Sequence, residues 1–459
     1  MAKGTSWRTP GVFIQELPTL PPSISTVETS VPAFVGYTQK DETNLTPVRI
    51  HSFNEYEALF GTASPLQAEL TVLNETISKV DIAFTNGAPP ALNSFLFYSI
   101  QMFFHNGGES CYIASAGLDF NVPDINELRT SLNKLEAIEE ITLIVIPDAV
   151  VLPDALCYDL MNDALAQCSR MRNRFFIADV KINPGDIANG TTPAPGDIFR
   201  SYIQGDASKA KYGAAYYPYL HSILNYNFSD DSLITLKDPG GDKTLDILKS
   251  TRNDLYNKIK IALKNIFIDL PPSGSIAGIY AKTDRNRGTW KAPANVQVTG
   301  ITGPSHIITM QEQEGLNVDT VSGKSINAIR LFTGRGTLVW GARTLAGNDN
   351  EWRYISVCRL FIIIESSVKK GLSPFVFEPN DSNTWTRVKG MIENYLTSLW
   401  RAGALQGAKP EHAFYVRTGL GETMTAADIQ NGTMIIDIGL AVVRHEEFII
   451  MRITQKMQA

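Results

Sequence analysis

The sequence predicts a multidomain protein of mixed α/β and α+β class, a central α/β layer domain followed by a C-terminal α+β domain. Three observations carry this. The chain has 459 residues, more than one ordinary domain holds. Between residues 92 and 285, continuous apolar strand-like runs alternate with helical segments, the pattern of a parallel sheet covered on both faces. Beyond residue 365, an amphipathic helical segment precedes two apolar strand-like runs that close the chain. The expected division is an extended arm over 1–30, an α/β region over 31–365 with its layer domain at 92–285, and a C-terminal domain over 366–459.

The arm opens with a short strand-like piece, Val12, Phe13, Ile14, Gln15 and Glu16. Pro18, Pro21 and Pro22 follow and stiffen the chain, which rises about 3.1 Å per residue if it adopts polyproline II. A sticky strand on a stiff arm suits reaching another subunit; packing on its own domain is the alternative. Val31–Thr38 reads as a buried strand, and Ser52–Gly61 as a short helix ended by a glycine. Ser94–Phe104 is an apolar helix stopped by Asn106, Gly107 and Gly108, with a strand at Ser110–Ala114. Asn126–Glu139 has helical spacing, with Leu128, Leu132, Leu135 and Ile138 on one face. Ile141–Ile146 is an apolar strand, Asp154–Met171 an amphipathic helix, and Arg174–Val180 and Lys211–Tyr219 are further strands. Gly185–Gly196 and Ser229–Thr244 read as polar loops, and Asp246–Phe267 as one long helix. Asn383–Leu405 is a helix with Val388, Ile392, Tyr395, Leu396 and Leu399 toward the core and Arg387, Lys389, Glu393 and Arg401 on the other side. Met434–Val443 and Glu447–Gln455 are the closing strands. The last is apolar at Phe448, Ile449, Ile450, Met451 and Ile453, so it must be paired, within its own subunit or with a neighbour.

Composition excludes several classes. The net charge of −6 argues against wrapping nucleic acid or adsorbing to an anionic membrane. The charged fraction of 19% is low against roughly 25% in average chains, which fits either extensive interfaces or a larger core. Cys111, Cys157, Cys168 and Cys358 have no C-x-x-C spacing and are too sparse for a disulfide scaffold; Cys111 and Cys358 lie in apolar, strand-like runs. No secretory signal follows Met1, and no apolar run approaches the roughly 18 residues of a membrane span.

Motifs for chemistry are missing wherever they were sought. Gly315–Ser325 places seven residues between Gly315 and Gly323, where a phosphate loop needs four before its Gly-Lys pair. No dinucleotide fingerprint or nucleophile elbow occurs, and no two of the six histidines are four residues apart. Ser305 and His306 are sequence neighbours beside Pro304, which indicates a turn. Asp148 and Asp179 sit near strand ends, where enzymes keep catalytic groups, but capping a following helix or turn accounts for them. His445-Glu446-Glu447 reads as a charged turn. No cofactor, metal or catalytic residue is assigned.

Several segments, in order along the chain, resemble one family. Thr9–Leu17 (TPGVFIQEL), Val31–Thr38, Phe103–Ile113 (FFHNGGESCYI), Leu270–Asp284 (LPPSGSIAGIYAKTD) and Trp290–Asn295 (WKAPAN) are similar to segments of contractile tail sheath proteins. So are Ile326–Leu345 (INAIRLFTGRGTLVWGARTL), Leu360–Val368, Val376–Asp381 (VFEPND) and Leu399–Gly407 (LWRAGALQG). Two departures concern loops: Val321–Lys324 replaces an Asn-Pro pair, and Arg444–Glu446 replaces a proline before the last strand. The resemblance implies a structural subunit and no enzyme; the subtilisin-like part of the family fold would be a likeness of fold only. It implies a homo-oligomer of stacked hexameric rings around an inner tube protein, with baseplate and terminator or cap proteins and paralogous sheath subunits as further partners. It assigns subunit linkage to Val12, Phe13, Ile14, Gln15 and Glu16 on the arm and to Phe448, Ile449, Ile450, Met451, Arg452 and Ile453 on the last strand, both exchanged between subunits. Arg387, Lys389 and Arg401 are the implied tube contacts, a solvated helix face being the alternative. The arm sequence leans toward an extracellular contractile injection system, the alternative being a phage tail. Such a particle is assembled in the bacterial cytoplasm and leaves by lysis.

Overall fold

The computed structural model describes residues 23–41, 43–118, 122–183, 194–238, 241–443 and 448–456. The chain forms two compact units. One is residues 27–364; the other takes the described residues of 1–26 and 365–459. In chain order the strands of the first unit are β1 (Pro32–Thr38), β2 (Val48–Ile50), β3 (Ala68–Glu75), β4 (Val80–Phe84), β5 (Cys111–Leu118), β6 (Leu143–Val145), β7 (Phe175–Asp179) and β8 (Gly213–Tyr217). They continue as β9 (Leu220–Asn225), β10 (Ile234–Leu236), β11 (Lys243–Thr244), β12 (Phe267–Leu270), β13 (Val296–Gln297), β14 (Ile301–Pro304), β15 (Ile326–Phe332) and β16 (Gly336–Val339). The second unit holds β17 (Phe414–Arg417), β18 (Thr433–Ala441) and β19 (Phe448–Lys456).

A nine-stranded sheet of order β13-β16-β15-β8-β7-β6-β1-β5-β2 organises the first unit. Its middle, β15-β8-β7-β6-β1-β5, is parallel, and β2, β16 and β13 join antiparallel at the edges. Successive residues of a strand face opposite sides of a sheet. Every residue of β1, β6, β7 and β8 is buried, so both faces are covered there. The sheet draws strands from residue 32 to residue 339 and so begins earlier and ends later than the 92–285 expected of the layer domain.

Two features fix the body around this sheet. The Ser273–Arg287 helix packs closely against the Leu96–His105 helix at two glycines. A Cβ on Gly274 would lie 2.5 Å from the Ser99 carbonyl oxygen, and one on Gly278 would collide with the Phe103 carbonyl. The second is a buried ion pair: Arg359 donates to both oxygens of Asp284, at 2.9 and 2.5 Å, and to the Thr29 carbonyl at 2.8 Å. Ser30 bonds the same carboxylate, Val31 donates its N–H to Thr142 at 2.8 Å, and Glu28 pairs with Arg49 at 2.8 Å. Residues 28–30, the end of the expected 1–30 arm, and Val31 are thus each tied to the body.

Part of the expected layer domain leaves the main sheet. A sheet of order β11-β10-β3-β4 has its own core of Leu70, Phe228, Ile234, Leu248, Ile259 and neighbours, and β12-β9-β14 forms a third sheet. Ser229–Thr244, expected as a loop, contributes β10 and β11. Asp246–Phe267 is not one helix. Helices at Leu245–Thr251 and Asn253–Leu263 meet at Arg252, whose ψ of 72° is not helical, and Phe267 already belongs to β12. The hydroxyls of Ser250 and Thr251 both bond back to the Ile247 carbonyl, a local alternative to continuing the helix. Cys358 is buried, but in the Ile355–Leu372 helix and not in the strand expected of its apolar run. Residues 185–193 of the expected Gly185–Gly196 loop lie outside the described residues, and a helix begins at Pro195.

Candidate functional site

Positions where catalysis would be sought are occupied by structural bonds. Asp148 is buried and accepts from the Tyr37 and Phe95 N–H groups, at 2.7 and 2.6 Å, and from the Ser94 hydroxyl at 2.8 Å. It therefore caps the entry to the Leu96–His105 helix, an earlier helix and not the following one. Asp179 accepts from the Ser273 N–H at 2.8 Å and its hydroxyl at 2.5 Å, at the start of the Ser273–Arg287 helix. Burial pushes the Asp179 carboxyl up to about 7, against the pull of those two bonds. Lys324, in the stretch that imitates a phosphate loop, donates to the Arg200 carbonyl at 3.1 Å, and Arg200 holds the Gly315 and Leu316 carbonyls in turn. His306 turns to Glu312 at 3.0 Å, and Pro304 ends β14 where a turn was expected. His445 to Glu447 lie outside the described residues. Among the described residues no group of three His, Cys, Asp or Glu side chains is placed to hold a metal, and no helix is long and apolar enough to cross a membrane.

What remains is a small sheet whose outer strands pair on one side only among the described residues. The second unit builds β17-β18-β19, antiparallel throughout, with β19 at one edge. Nine residue pairs join β18 to β19, from Thr433↔Lys456 to Ala441↔Phe448. Phe448, Ile449, Ile450, Met451, Arg452 and Ile453 therefore all lie in a strand, paired here with the same chain. Met434, Ile436, Ile438 and Leu440 of β18 are buried, and Gly439 passes beneath the Tyr415 ring, where a Cβ would collide. Val12, Phe13, Ile14, Gln15 and Glu16 lie outside the described residues.

The three basic residues assigned to a partner sit on the Ser382–Arg401 helix, whose N-terminus is capped by Asp381. At 3.6 residues per turn, Arg387 and Arg401 fall within about 40° of one another, roughly 21 Å apart along the axis. Both are exposed. Lys389 is about 160° from Arg387, at the margin of the Val388–Ile392–Leu396 core face, and is half-buried. The helix thus brings two of the three to one face and not the third. Arg387 is already engaged: it pairs with Glu378 at 2.7 Å and covers the Phe375 ring at 5.4 Å. Asp437, which sequence reasoning passed over, stands in β18 opposite Arg417 on one side and Arg452 on the other. The signal was available: it is the one charge in TMIIDIGLA.

The sequence profile of the phage tail sheath protein central domain matches residues 205–345, and that of the phage tail sheath C-terminal domain matches residues 347–456, together more than half of the chain. The chain belongs to the phage tail sheath family. This sheath protein is 32% identical to a chain of the anti-feeding prophage helical sheath in its contracted state, over 98% of this chain and 100% of that one, with a TM-score of 0.63. It is 29% identical to a chain of the contracted sheath complex of the PVC extracellular contractile injection system, over 98% and 99% of the two chains, with a TM-score of 0.61. It is also 27% identical over 136 residues, 30% of this chain, to the tail sheath protein of Vibrio phage KVP40. The matches to curated relatives span between 20% and 30% of those proteins' own length. Tail sheath proteins are a structural family and not an enzyme family, in keeping with the structural use of Asp148, Asp179 and Lys324.

Proposed function

We propose that this protein is the sheath subunit of an extracellular contractile injection system, polymerising as stacked hexameric rings around an inner tube and contracting to drive that tube through a target envelope. One observation carries the reading: the likeness to the contracted sheaths of the PVC extracellular contractile injection system and of the anti-feeding prophage runs over 98% of this chain. The phage-tail alternative draws on the shorter likeness to the Vibrio phage protein.

Linkage between subunits is strand addition. The outer edge of a sheet presents unpaired backbone N–H and C=O groups, and an arriving strand gains affinity from those groups and register from its side chains. Residues 12–16 of the arm supply one such strand and residues 448–453 another, each from a neighbouring subunit. The contact is heterologous and does not close along the axis, so it propagates. Swapping β19 between copies reproduces every backbone pair of the β18–β19 ladder, so exchange costs little beyond ordering the chain between the strands. Arg387 and Arg401 face the tube. Contraction is then a passage between two packings of the same subunits, released at a baseplate and limited by a terminator or cap; the free-energy gap between the packings does the work, and no nucleotide is consumed. Assembly takes place in the bacterial cytoplasm, and lysis releases the particle.

Negative-stain electron microscopy of the protein expressed alone, and with its tube protein, tests this. Hollow cylinders of uniform width are expected. Dispersed monomers in both preparations would reject the sheath reading. Deleting Met1–Leu17 should leave a folded monomer, since the anchors of residues 28–31 involve none of the deleted residues; long tubes from this variant would reject arm exchange.

A further inference from the structure

We propose that Asp437 sets the register in which the C-terminal strand is received, by facing Arg452 at the middle of the β18–β19 ladder. The inference rests on the strand-exchange reading, because the strand so registered comes from a second copy of the chain.

The physical problem is slippage. β18 reads TMIIDIGLA and β19 reads FIIMRITQK. Neither alternates cleanly between apolar and polar residues. Ile435, Ile436, Ile438 and Leu440 place apolar groups on both faces of β18, and Phe448 to Met451 form an unbroken apolar run. A slip of two residues keeps apolar opposite apolar, so the hydrophobic pattern opposes it weakly. A strand arriving from another subunit has no short hairpin to limit the error.

Charge supplies what the pattern lacks. Each nine-residue strand carries one charge in its interior, Asp437 and Arg452, each the fifth residue, and the ladder sets them directly opposite. Slipping by two sets Asp437 against Ile450 or Thr454, and Arg452 against Gly439 or Ile435. The other side of β18 is registered separately. The Tyr415 ring lies over Gly439, the Arg417 guanidinium stands 4.9 Å from that ring, and Arg417 is opposite Asp437. Positions 417, 437 and 452, alternating in the sign of their charge, stand side by side across the sheet.

Cysteine pairs in the full-length assembled protein test this. Ile435→Cys with Thr454→Cys reports the native register, and Ile435→Cys with Lys456→Cys reports a slip of two. The four native cysteines are buried. Oxidation should link the native pair and leave the slipped pair near background. Asp437→Asn, which keeps shape and removes charge, should raise the slipped-to-native ratio about two- to fivefold, the scale of one cross-strand charge pair. Asp437→Arg should raise it further, and Asp437→Arg with Arg452→Asp should restore it. A ratio indifferent to all three variants overturns the assignment. The gel separates this from the underlying reading: native-pair disulfides that join two chains support exchange, whereas disulfides confined to one chain overturn exchange while the ratio still decides the role of Asp437.

Discussion

Asp179 lies at the end of a sheet strand, where α/β enzymes keep reactive groups, yet one serine takes both of its oxygens. Its carboxyl is pushed up to about 7 by burial, against about 3.9 in an unfolded chain. Between those values the folded protein holds a proton that the unfolded chain has released. The stability this group contributes is therefore full below about pH 4 and lost as pH rises through about 7. Asp179→Asn removes that dependence. Thermal melts across this range should show the wild type losing stability relative to the variant as pH rises; a constant difference would mean that the carboxylate is charged throughout. The neighbouring lesson is Asp148. Both aspartates were legible as caps from their place after apolar strands. Which helix each one caps was not, because Phe95 and Ser273 reach them from elsewhere in the chain.

At the scale of elements, the crossing of the Leu96–His105 and Ser273–Arg287 helices depends on Gly274 and Gly278, four residues apart on one face. Backbone meets backbone there. Gly278→Ala forces a Cβ into the Phe103 carbonyl, and overpacking of this kind costs about 1–3 kcal/mol. Urea unfolding should show a lower midpoint with an unchanged slope; wild-type stability would mean that the helices separate freely. Strands with continuous apolar character, such as β1 and β7, were readable from the sequence, as was the Asp154–Met171 helix. The misreadings share a cause. Short apolar runs do not distinguish helix from buried strand, so the surroundings of Cys358 were read as a strand. The break at Arg252 comes from hydroxyl bonds within one turn, which leave no mark on hydrophobic spacing.

At the scale of the whole molecule, edges are distributed in a way that matters for assembly. The large sheet ends in β2, of three residues, and β13, of two, and edges this short resist unwanted pairing. The β17-β18-β19 sheet ends instead in the four-residue β17 and the nine-residue β19. Among the described residues β19 is the longest edge strand. In the proposed sheath the same unit meets the tube through the exposed Arg387 and Arg401. Reversing both to glutamate should weaken co-sedimentation with the tube protein most strongly at low salt, since exposed charge pairs are screened. Lys389→Glu should have a smaller effect, because Lys389 lies on the far side of that helix. Equal effects from all three positions would reject the proposed face.

The sequence alone determined the class of fold, most of its buried strands and the absence of recognisable catalytic motifs, because these follow from local composition and spacing. Its ordered segments also pointed to the tail sheath family before any geometry was known. Only the tertiary structure decided which strands neighbour one another and that the main sheet takes β1 and β15 from both ends of the first unit. It alone placed Asp437 between two arginine positions. Each of these depends on residues distant in sequence meeting at one register or one helix face, and periodicity along a single segment carries no record of what will pack across from it.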